Sequence, residues 1–273
     1  MNKILFREHI APGIFHMKVE APEIAAKRKA GQFVIIRHDE EGERVPLTIA
    51  DADPKAGWIS LIVQEMGYST KRLGQLRAGD TLADVVGPLG VPTHIEKFGT
   101  CLCIGGGVGV APLYPIAEAL QAAGNETVCV IGARNKELVI LEKEFKKIFK
   151  ETHVCTDDGS YGFHGFVTQK AKEFLDGPRK IALVVGIGPV PMMRAVANLT
   201  KPYGVKTVVS LNPIMLDGTG MCGACRVNVG GETKFACIQG PEFDGHQVDF
   251  DLLTKRLGMY SVQEKQCTCA GGS

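Results

Sequence analysis

The sequence predicts a β plus α/β protein: an antiparallel β-barrel, a doubly wound parallel sheet, and a small cysteine-bearing C-terminal module. Three observations predict it. The first 97 residues hold short apolar stretches separated by turn signals, the pattern of a barrel. From Gly99 on, strand and helix patterns alternate five times, which requires a parallel sheet with crossover helices. After about Asn212 the alternation stops, and glycines and cysteines crowd together. The expected boundaries are residues 1–97, 98–211 and 212–273.

In the first segment the expected strands cover Gly13–Val19, Gln32–Arg37, Trp58–Gln64 and Thr81–Val86. Asp53-Pro54 and Ala78-Gly79-Asp80 are turn signals between them. A short helix is expected over Ser69–Gln75, with Ser69 as its N-cap. In the second segment the strands are Thr100–Ile104, Thr127–Ile131, His153–Thr156, Ile181–Val185 and Thr207–Leu211. The helices between them are Ala111–Ala123, Leu141–Lys150, Val167–Leu175 and Pro191–Thr200. The last segment, to about Val248, reads as short β stretches, and the final CTCAGGS as a flexible tail.

Composition narrows the function. Lys and Arg total 31 against 30 Asp and Glu, a net charge of +1. A dedicated nucleic-acid binder would be far more basic. No run of about 18 apolar residues exists, so no membrane span is expected. The N-terminal MNKILFREHIAPGIF carries Arg7 and Glu8 and does not read as a signal peptide. A cytoplasmic setting follows, and there clustered cysteines mean metal or redox chemistry rather than disulfides.

Among the 33 glycines, two groups lie where a strand hands over to a helix. In IGGGVGVAP, Gly105 to Gly109 follow a strand and open a helix. Such a turn brings backbone amides and a helix N-terminus to a phosphate, although a tight turn with no ligand has the same form. Gly186-Ile187-Gly188-Pro189 is a second strand-to-helix turn. Thr156-Asp157-Asp158-Gly159-Ser160 is a third, whose carboxylates suit ribose hydroxyls or a plain surface turn. Arg134, after the second strand of this domain, could meet a 2′-phosphate, an adenine or only solvent. In the barrel, Arg44-Val45-Pro46-Leu47-Thr48 and Gly67-Tyr68-Ser69-Thr70 offer an arginine, hydroxyls and a helix start.

Cys222, Cys225 and Cys237 fall close together, with Asp217 five residues before Cys222. Glycines at 218, 220 and 223 let backbone wrap an inorganic core. This is similar to plant-type [2Fe-2S] spacing with aspartate in the first position. Zinc and inert thiols are the alternatives. Cys101, Cys103, Cys129 and Cys155 read as strand residues of the core. Cys267 and Cys269 form a tail pair without an assigned role.

RVPLT, GYST, IGGGVGVAP, TDDGSYGFHG, GIGPVPMM and DGTGMCGACRV with the later FACIQGPEFDGH, in this order, resemble the ferredoxin–NADP reductase superfamily. Within it the chain is similar to electron-transfer subunits of class 1B dihydroorotate dehydrogenase. It is more similar still to small subunits of NADH-dependent reduced ferredoxin:NADP oxidoreductase, the sulfide-dehydrogenase-like group. The resemblance implies an FAD-binding barrel, an NAD-binding doubly wound domain and a [2Fe-2S] module. It places FAD against Arg44, Val45, Pro46, Leu47, Thr48, Leu61, Ile62, Val63, Gly67, Ser69 and Thr70, with Thr48 as the catalytic hydrogen-bond donor near flavin N5. It places NAD(H) against Gly106, Gly107, Val108, Gly109, Gly188, Pro189 and Met192, to which Arg134, Asp157 and Asp158 are added as candidates from their positions alone. Ile187 stands where the family motif has cysteine. Asp217, Cys222, Cys225 and Cys237 are the implied cluster ligands, the aspartate favouring the ferredoxin:NADP oxidoreductase group. The implied partner is a larger subunit with FAD and [4Fe-4S] clusters, in which electron bifurcation takes place. Other readings are a dihydroorotate-type electron-transfer subunit and a non-catalytic iron–sulfur carrier.

Overall fold

The computed structural model describes residues 2–261. The tail with Cys267 and Cys269 lies outside these. The chain divides into two compact units.

The first unit holds the chain up to Val91, Asn212–Pro241 and the part from Asp249 on. It begins with β1 (Asn2–Ala11), β2 (Ile14–Glu20), α1 (Pro22–Lys27), β3 (Phe33–Arg37), β4 (Val45–Thr48), β5 (Asp51–Asp53), β6 (Trp58–Gln64), α2 (Tyr68–Gln75), β7 (Thr81–Leu82) and β8 (Asp84–Leu89). The strands form two antiparallel sheets, β5-β6-β2-β1-β7 and β4-β3-β8. Alternate residues on each strand fill one core: Phe15, Met17 and Val19 on β2, Ile59, Leu61 and Val63 on β6, Val34 and Ile36 on β3. That period of two follows from strand geometry. Two features differ from the sequence expectation. β1 went unread because Ile4 is its one buried residue, while Leu5 and Phe6 beside it stay at least partly exposed and charged residues follow, so no alternation marks the strand. The expected Thr81–Val86 strand breaks at Ala83, so β7 and β8 serve different sheets.

The start of α2 corrects another expectation. Its N-cap is Gly67, not Ser69. The Thr70 hydroxyl accepts from the Met66 and Gly67 amides at 2.9 and 3.1 Å, which fixes the helix start ahead of Ser69.

The second unit spans Pro92–Leu211 and Glu242–Val248. It contains β9 (Thr100–Gly106), α3 (Val110–Ala122), β10 (Glu126–Ala133), α4 (Glu142–Ile148), β11 (Glu151–Thr156), β12 (Phe163–His164), α5 (Val167–Asp176), β13 (Ile181–Ile187), α6 (Val190–Thr200) and β14 (Lys206–Ser210). Every strand and helix expected here is present, with ends shifted by no more than two residues. Their clarity has a physical origin: strands of a parallel sheet are covered on both faces and read as continuous apolar runs. Cys101, Leu102, Cys103 and Ile104 are all fully buried, as the core reading of those thiols expects.

The chain then forms β15 (Arg226–Val229), β16 (Glu232–Phe235) and α7 (Ala236–Gln239) in the first unit, β17 (Glu242–Asp244) in the second, and α8 (Phe250–Leu257) in the first. The second unit's sheet runs β12-β11-β10-β9-β13-β14-β17, parallel except for β17. Neither α7, in the cysteine-rich segment, nor α8, after it, was legible as a helix.

On β17, Glu242 accepts a hydrogen bond from the Thr93 hydroxyl at 2.6 Å, and burial pushes its acid up to about 7. An acid raised on folding carries no penalty below its unfolded pKa. It destabilises progressively as pH rises through the window up to the folded value. Glu242→Gln is therefore expected to raise the Tm by a few degrees at pH 8 and to leave it unchanged near pH 4, as thermal unfolding would show.

Candidate functional site

The two polar clusters of the barrel come together. β4 is the edge strand of its sheet, where Pro46 is tolerated because an edge can lack a donor. It pairs with β3 in the register Ile36↔Val45, Ile35↔Pro46, Val34↔Leu47 and Phe33↔Thr48. All four β4 residues are half-buried, and Arg44 before them is exposed. The Ser69 hydroxyl donates to the carboxylate of Glu43, joining the first turn of α2 to the segment that leads into β4. A side chain on Gly67 would meet nothing within 4 Å, so the space before this turn is open. Leu61 and Val63 point into the barrel core, while Ile62 lies on the opposite face of β6.

In the second unit, α3 packs against β9, β10 and β13, while α5 and α6 pack together. Gly105 faces Val110 and Leu113 of α3, and Gly106 next to it faces Met192 of α6. Helices thus leave opposite faces of the sheet at β9 and β13, which is the switch point where open α/β sheets bind ligands. The glycine turns after these two strands touch. A Cβ on Gly109 would lie 2.5 Å from the Ile187 carbonyl oxygen and 2.7 Å from Gly188 Cα. A Cβ on Gly188 would meet the Met192 thioether at 2.9 Å. Gly107 takes φ +56° with open space before it.

The rim of this crevice is polar. The Asp157 and Asp158 amides donate to the carbonyls of Ala133 and Arg134, both at 3.1 Å, tying the turn after β11 to the end of β10. Burial pushes the Asp157 carboxyl up, and the Arg134 guanidinium opposes the shift. Ser160 holds the Asp158 carboxyl below its usual range, and its hydroxyl accepts from the Lys136 amide.

The cysteine loop is built on the barrel. Gly218 and Gly220 take φ +77° and +86°. A Cβ on Gly218 would strike Leu89 of β8 and Ile35 of β3 at 2.7 and 2.8 Å. The Asp217 carboxylate accepts from the Thr219 amide at 2.5 Å, the Thr219 hydroxyl at 3.2 Å and the Cys222 amide at 2.7 Å. These donors, the Thr219 amide foremost, lower its pKa to about 2. The sulfurs of Cys225 and Cys237 are 3.1 Å apart and buried, whereas Cys222 is exposed. Burial, and then the adjacent Cys225, push the Cys237 thiol up to about 12, while the Gly220 amide favours its thiolate. The Ala224 amide points at Cys222 Sγ at 3.5 Å. Among the described residues no three His, Cys, Asp or Glu side chains converge on a point that one metal ion could occupy.

Sequence reasoning missed three residues. Thr219 was within reach, because Asp-x-Thr is an Asx-turn signal. Glu43 and Arg256, whose Nη2 donates to the Ala224 carbonyl at 3.1 Å, act across 26 and 32 residues and leave no local pattern.

Residues 212–249 match the iron-sulfur cluster binding domain of dihydroorotate dehydrogenase B, and residues 103–198 the oxidoreductase NAD-binding domain. A Thermotoga maritima homolog of the dihydroorotate dehydrogenase B (NAD(+)) electron transfer subunit is 48% identical over 97% of this chain and 93% of its own. The Fusobacterium nucleatum electron transfer subunit is 33% identical over 89% and 95%. A chain in a solved structure of NADH-dependent reduced ferredoxin-NADP oxidoreductase superposes with a TM-score of 0.94 at 46% identity, over 100% of this chain and 98% of that one.

Proposed function

Since the chain belongs to the family of dihydroorotate dehydrogenase B electron transfer subunits, we propose that it is the NAD(H)-oxidising flavin and iron–sulfur subunit of a two-subunit, electron-bifurcating ferredoxin:NADP oxidoreductase. One observation carries the electron-transfer reading most directly. The cysteine loop packs on Ile35, and Ile35 pairs with Pro46 of the β4 segment assigned to the flavin. One strand spacing and one side chain, on the order of 10 Å, separate the two segments.

The residues present fit each group. Arg44 and the first turn of α2, with Ser69 and Thr70, supply a cation, hydroxyls and helix amides for the FAD pyrophosphate. Val45, Pro46, Leu47 and Ile62 give the ring apolar surface, Leu61 and Val63 support it from the core, and Thr48 offers its hydroxyl to flavin N5. Gly106, Gly107, Val108 and Gly109 present amides to the dinucleotide pyrophosphate, with Gly188, Pro189 and Met192 at the nicotinamide end. Asp157 and Asp158 hold ribose hydroxyls beside Arg134, and their charge favours NADH over NADPH. The cluster donors come as two neighbouring pairs, Cys225 with Cys237 and Asp217 with Cys222, which suits a two-iron group better than one zinc ion. Bound FAD would supply hydride acceptance and the [2Fe-2S] cluster one-electron carriage. The chain's own part is to bind, orient and shield these groups.

The relatives are electron transfer subunits, so a larger partner subunit completes the enzyme. We assign FAD and [4Fe-4S] clusters to that partner. Leu216, Met221 and Ile238 are 52%, 90% and 47% exposed, and each adjoins one proposed ligand. An exposed apolar collar of this kind marks a protein contact. Met221→Asp together with Ile238→Asp is expected to weaken association with the partner at least ~10-fold, read by calorimetry on the purified subunits.

Cofactor content tests the proposal. The chain, supplied with FAD, iron and sulfide, should retain about one flavin, two irons and two sulfides. Iron and sulfide without flavin would support the non-catalytic carrier. Flavin with zinc alone would overturn the cluster assignment. Copurification with a dihydroorotate-oxidising partner would transfer the chain to that enzyme.

A further inference from the structure

Arg256 lies near the end of α8, and its Nη2 reaches back 32 residues to donate to the Ala224 carbonyl at 3.1 Å. Ala224 stands between Cys222 and Cys225, and its amide points at the Cys222 sulfur at 3.5 Å. One peptide group therefore connects the guanidinium to the segment carrying two proposed ligands. A second cation adjoins the same turn: Arg226 Nη1 lies 3.3 Å from the position a Gly223 Cβ would take. The anionic Asp217 lies five residues before Cys222 and is joined to its amide.

The charge balance gives this geometry a consequence. Three thiolates and a carboxylate around two irons make an anionic group, and reduction adds one more negative charge. A fixed cation one peptide away stabilises the reduced form more than the oxidised form. Arginine suits this role because it remains charged at every accessible pH and its planar fork holds the carbonyl in a set direction. The Arg256 contact is partly buried, so its field is screened less than that of a surface lysine.

We infer that Arg256 is a positioning residue that sets the reduction potential of the cluster through its fixed charge and its grip on the Ala224 peptide. This rests on the reading of Asp217, Cys222, Cys225 and Cys237 as ligands. The arrangement links α8, which carries no ligand, to the energetics of electron delivery.

The test is an EPR-monitored potentiometric titration of the full chain loaded with iron and sulfide. Wild type is compared with Arg256→Lys, Arg256→Gln and Arg256→Met. Iron content and circular dichroism establish that each variant is folded and loaded. The midpoint of Arg256→Gln should shift to more negative potential. Arg256→Met should shift at least as far, and Arg256→Lys should stay near wild type. The shift should shrink as ionic strength rises. Equal midpoints in all four proteins would overturn the inference while leaving the ligand assignment standing. So would equal displacement of Lys and Gln, because geometry rather than charge would then be at work. A wild-type chain that takes up no cluster would overturn the ligand assignment and this inference together. If Gln and Met fail to load while Lys loads, raising the iron and sulfide supplied and titrating the loaded fraction supplies the same comparison.

Discussion

Replacing Cys225 by serine is expected to remove the iron–sulfur absorbance and EPR signal of the chain. Electron delivery from NADH to the partner should fall by at least ~10²-fold. Cys225 is 2% exposed, and its sulfur lies 3.1 Å from that of Cys237. Serine offers a harder, poorly ionised oxygen that reaches less far than sulfur, so one of the paired donors is lost. The fold should tolerate the change, since serine is close to cysteine in size. NADH oxidation with an artificial acceptor should survive, because it needs only the flavin and the nucleotide site. Cys155→Ser is the control. Cys155 is buried on β11 in the other unit, and burial pushes its thiol up to about 11, so it is a core residue. Its serine variant should lose some stability and keep the cluster. Iron content, EPR, thermal unfolding, and NADH-dependent reduction of the partner and of an artificial acceptor measure these outcomes.

The second large effect is expected at Gly109. Its neighbours are backbone atoms, Ile187 O at 2.5 Å and Gly188 Cα at 2.7 Å from an added Cβ, and they have no rotamer by which to step aside. Gly109→Ala should therefore push the two glycine turns apart. Overpacking of this kind costs ~1–3 kcal/mol of stability. Displacing both turns proposed to hold the nucleotide, one at its pyrophosphate and one at its nicotinamide end, should also raise the KM for NADH by about 10²-fold, as misplacement of a positioned substrate does. Gly106→Ala is the instructive contrast. There the added Cβ would meet Met192 Sδ at 2.3 Å, the far part of a flexible side chain that can rotate. Its effect on KM should be smaller. Steady-state kinetics with NADH and thermal unfolding separate the two variants. Equal effects would contradict the packing account of the crevice.

The difference between these glycines shows what was legible in the sequence. Its motif marks Gly106 to Gly109 as one turn, but not which glycine faces a thioether and which a carbonyl. That depends on the turn after β13, about 80 residues away in the chain. The doubly wound unit was readable almost residue by residue because its strands are covered on both faces. In the barrel, β1 was hidden, since only alternate residues of an antiparallel strand need be apolar, and few of its residues are buried. Ser69 was read as a cap from residue type alone, whereas Thr70, with a hydroxyl that reaches back to two amides, decides the helix start. The proposed cluster ligands could be picked out as residues. Their pairing, their seat on β3 and β8, and the reach of Arg256 are long-range, and no local pattern encodes them.

On this reading one chain takes electrons from NADH on its flavin and passes them to its own cluster. Anaerobic titration of the chain loaded with FAD, iron and sulfide, in the absence of any partner, tests this most directly. NADH should bleach the flavin absorbance and bring up the EPR signal of a reduced [2Fe-2S] cluster. A fully loaded chain whose flavin and cluster both stay oxidised under excess NADH would contradict it.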